Sequence, residues 1–139
     1  MLRESYLAVF RETVHTARDT LGYELPDYIE HYVIALLADR IDRTDWEPKQ
    51  SFAHALYECQ NSRTAKQLGD TCLWLTGVFP TYRQHRGMNR LYYCTIGASA
   101  YSAVHTELFD TLSVQFDTVS RFINCAVNGE DTLGIEFTL

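Results

Sequence analysis

A chain of 139 residues has the length of one ordinary domain, and 46% apolar with 22% charged side chains is a globular composition that excludes a disordered chain. The net charge is −6, from 18 acidic against 12 scattered basic residues, which excludes nucleic acid or an anionic membrane as the main partner. No apolar stretch approaches a membrane span and the N-terminus lacks the apolar centre of a signal peptide, so the expectation is one cytoplasmic domain over residues 1–139.

Residues 2–22 carry Leu2, Tyr6, Phe10, Val14, Ala17 and Leu21 at steps of three and four, the period of an amphipathic helix, with Gly22 as its stop. Pro26 is placed to open a second helix, with Asp27 and Glu30 at its positive end and Ile29, Val33, Leu36, Leu37 and Ile41 inward. Pro48 breaks the chain after Trp46 and Glu47. A short third helix follows, with Phe52, Ala55, Leu56 and Cys59 on one face.

Asn61 is a candidate cap for a fourth helix over 63–79 that is apolar on two sides, and Pro80 ends it. Residues 81–88 read as a loop. Asn89 caps a fifth helix over 90–107, and a sixth carries Leu112, Phe116, Val119, Ile123 and Val127 before Asn128-Gly129. Leu133, Ile135, Phe137 and Leu139 then alternate with other residues, the period of an extended tail that packs on its own chain or on a second copy. The fold class expected is all-α: a compact bundle of five to six helices, the fourth and fifth central, with a short extended C-terminal tail.

Glycine inside a helix costs about 1 kcal/mol relative to alanine, so Gly69 and Gly77 in the fourth helix, facing Gly97 and the small residues near it in the fifth, point to a close helix crossing. Asp70 lies beside that crossing and needs donors there. Its candidate partners are Tyr92, Tyr93, Tyr101 and Arg86. Together they define either a core brace or a polar pocket for a small ligand.

Glu12 and His15, three apart on the first helix, are the one Glu-x-x-His pair, and a weak metal site could add Glu30 or His31. Cys59, Cys72, Cys94 and Cys125 form no Cys-x-x-Cys pair and read as buried hydrophobes. No nucleophile elbow, phosphate loop or dinucleotide fingerprint is present. No catalytic residue and no cofactor is therefore assigned.

Leu68-Gly69-Asp70, Gly77-x-Phe79-Pro80, Tyr92-Tyr93, Gly97 and Ala100-Tyr101 together resemble a pattern found in uncharacterised all-helical bacterial proteins. The resemblance covers residues 68–101. It implies a helical fold and a bacterial source, and carries no activity, cofactor or partner.

These features lead to a small helical interaction or regulatory module that self-associates, as a homodimer or larger homo-oligomer, rather than an enzyme. Nine tyrosines and an apolar tail favour that expectation, and a further protein partner is compatible with it. The competing expectations are a ligand-binding or catalytic pocket at Asp70 and, behind it, a metal-binding bundle.

Overall fold

The computed structural model describes residues 2–43, 51–79 and 89–129. The expected loop at 81–88, including Arg86, and the expected tail after Asn128-Gly129 lie outside the described residues. Within them are seven α-helices: α1 (Leu2–Leu21), α2 (Asp27–Arg40), α3 (Phe52–Tyr57), α4 (Ser62–Val78), α5 (Arg90–Ser102), α6 (Glu107–Val114) and α7 (Phe116–Asn128). The all-α class holds, with more helices than the five or six expected.

Local chemistry sets most boundaries. Asn61 and Asn89 cap α4 and α5, their side-chain oxygens accepting from the backbone N–H groups of Thr64 and Tyr92, each at 2.9 Å. Ser51 does the same for α3, accepting from His54 at 3.1 Å. The Pro26 carbonyl accepts from Ile29 and Glu30 at 3.0 and 2.9 Å, so α2 starts at Asp27, with Asp27 and Glu30 in its first turn.

Two breaks, near residue 105 and at Gln115, shape this part of the chain, and the second adds the extra helix. The fifth helix stops at Ser102, and His105 adopts a left-handed backbone with φ 61°. The Thr106 hydroxyl then accepts from Phe109 N–H at 3.4 Å and opens α6. Gln115, at φ −101° and ψ 20°, breaks the expected sixth helix into α6 and α7, and Gly129 ends α7 at φ 78°.

α1 corrects the inward stripe. Successive steps of four rotate a side chain about 40° each, so Leu2 drifts off the face that carries Phe10. Phe10, Val14 and Ala17 are buried, with Tyr6, Leu7 and Leu21 packed beside them, whereas Leu2 is 68% exposed.

α4 is the central element. Every residue from Leu68 to Gly77 is buried, because α5 covers one side and α7 another. A side chain built at Gly69 would meet the Tyr101 ring of α5 at 2.5 Å. At Gly77 it would instead meet Ile123 of α7, also at 2.5 Å. Gly97 of α5 lies between the Phe116 ring and Cys72, where an added methyl carbon would come within 2.5 Å and 2.7 Å of their nearest carbons.

Neither of those neighbours can turn aside, since Phe116 is 3% exposed and Cys72 is fully buried. Gly97→Ala is therefore expected to destabilise the fold by about 1–3 kcal/mol despite alanine's better helix propensity. Urea denaturation checks this, and a stabilised variant would refute the close packing.

Candidate functional site

The sequence offers Asp70 as the centre of interest, and its geometry is a closed brace. Asp70 is 4% exposed. Its Oδ1 accepts from Tyr32 Oη at 2.5 Å and from Tyr101 Oη at 2.7 Å, while Oδ2 accepts from Lys66 Nζ at 3.0 Å. One carboxylate thus ties α2, α4 and α5 together.

Lys66 stands one helical turn before Asp70, and its ammonium lies 5.7 Å from the centre of the Tyr32 ring. Arg40, buried at the end of α2, donates to Thr71 Oγ1 at 3.2 Å and adds positive charge near the carboxylate.

The two tyrosines hold their protons far above the usual phenol range. Burial is the larger cause for each, followed by the negative charge of Asp70. Burial outweighs the neighbouring charges at Arg40 and lowers its pKa. These neutral phenols and the carboxylate form a stable donor–acceptor set.

Of the candidate pocket residues, the structure brings Asp70 and Tyr101 together. Tyr92 and Tyr93 are engaged with α3: the Ala53 N–H donates to Tyr92 Oη at 3.1 Å, and the Phe52 and Tyr93 rings pack edge to face at 5.1 Å. Tyr32 and Arg40 completed the brace without a sequence signal. Lys66 had one, its four-residue spacing from Asp70.

A second polar group lies between α4, α5 and α7. Arg90 pairs with Asp117 and donates to Ser120 Oγ at 2.8 Å. Ser120 donates to Thr76 Oγ1 at 2.9 Å. Thr76 in turn donates to the Cys72 carbonyl at 2.9 Å, and Asn124 donates to the Gly77 carbonyl at 3.1 Å. These bonds satisfy buried polar atoms across helices and fix the register of α7 on α4.

Two surface features of α1 remain. On one flank, Ala8, Arg11, Glu12, His15 and Arg18 face Glu30, His31 and Ile34 of α2 across an open cleft of about 520 Å³. The weak metal candidates Glu12 and His15, with Glu30 and His31, all line it. Arg18 donates to Glu30 at 2.8 Å, and among the described residues no three His, Cys, Asp or Glu side chains are grouped to hold a metal ion.

On the other flank, Leu2, Tyr6, Val9, Thr13, Thr16 and Thr20 follow one another at steps of four and three. None is charged and none is buried, and Tyr6 packs partly on the core with its hydroxyl donating to Asp42 Oδ1 at 3.1 Å.

Searches of protein-family models, curated proteins and solved structures return no match to this chain. Among the described residues no helix is long and apolar enough to cross a membrane.

Proposed function

We propose that this chain is a self-associating helical interaction module, with a second copy packed along the outer face of α1. The observation that carries the reading is the uncharged row from Leu2 to Thr20. Its alternating four- and three-residue steps are the spacing with which one helix interdigitates with another. Twenty residues make α1 about 30 Å long, enough for five such steps.

Leu2 is 68% and Val9 52% exposed, so their apolar surface gains from being covered. A second copy fits because a twofold pairing sets the same row against itself and needs no other complementary surface. The interior polar groups support the same view, since Asp70, Arg90 and Thr76 are engaged in holding helices together. Four thiols, three of them buried, suit a reducing cytoplasm.

Sedimentation velocity tests the reading. The chain is expected to sediment as a dimer at about 100 μM, and Val9→Glu to weaken association by at least about tenfold, since it places a charge in the seam. Helix content should be unchanged, because Val9 lies outside the core. A wild-type chain that stays monomeric at that concentration rules the reading out.

A further inference from the structure

We draw no further inference here: the strongest candidate, the open groove along α6 between His105 and Gln115, lined by the exposed Val114, carries nothing because nothing in the structure shows what covers it.

Discussion

Asp70→Ala is expected to cost about 3–5 kcal/mol, because it strands the groups that converge on one buried carboxylate. Lys66 is 45% exposed at its side chain and can return to water. Tyr101 cannot: it is fully buried, and its hydroxyl donates to Asp70 Oδ1. Tyr32 loses the same acceptor, and the buried Arg40 loses the nearby negative charge.

The penalty is dominated by what is left unpaired, so Asp70→Asn should cost less: it keeps one acceptor oxygen of the same shape. Equilibrium urea unfolding of the three proteins, with unchanged slopes, measures the difference. A loss under about 1 kcal/mol for the alanine variant would mean that Asp70 does not brace the fold. A folded alanine variant also separates this role from association, since the outer row of α1 contains none of these residues.

Alkaline pH should unfold the protein steeply. In an unfolded chain tyrosine ionises near pH 10 and cysteine near about pH 8.5. In the fold Tyr32, Tyr101 and Cys72 keep their protons to much higher pH, chiefly through burial. The unfolded state therefore releases protons first, and stability that is intact below about pH 8 is lost as pH rises.

Each raised tyrosine removes about 1.4 kcal/mol per pH unit above about pH 10, so the pair removes about 5 kcal/mol by about pH 12. Cys72 adds to the fall from a lower starting pH. Urea midpoints followed by circular dichroism across that range give the slope. Tyr32→Phe should lower stability at neutral pH yet make the alkaline fall shallower by about 1.4 kcal/mol per unit. Midpoints that stay level to about pH 12 would contradict the burial of these hydroxyls.

Much of this architecture could be read before any coordinates. Asn61 and Asn89 announce helix starts because a short amide side chain bonds its own downstream N–H groups, a rule written within four residues. The burial of α4 was legible for a similar reason: apolar residues on two faces require cover on two sides.

The seventh helix was hidden because apolar spacing runs on from Leu112 through Phe116 to Val119 without a glycine or proline. The break at Gln115 and the left-handed His105 depend on tertiary packing. At the candidate site, Asp70 drew attention as an acid in an apolar helix. Tyr32 could not be chosen from nine tyrosines, because the fold alone brings residues 32, 70 and 101 to one point. The cleft and the outer row of α1 likewise needed coordinates, which show where α2 covers that helix and where it does not.

The spacing of the two buried polar groups along the chain has a consequence for synthesis. The Asp70 brace joins residues 32, 70 and 101, so its parts are all present once α5 has been made. The Arg90 group needs Asp117 and Ser120, and Asn124 must also arrive to bond the Gly77 carbonyl. A nascent chain emerging N-terminus first therefore acquires one lock before the other. Until α7 leaves the ribosome, the side of α4 that it covers stays open, and that side of the bundle closes only when α7 arrives.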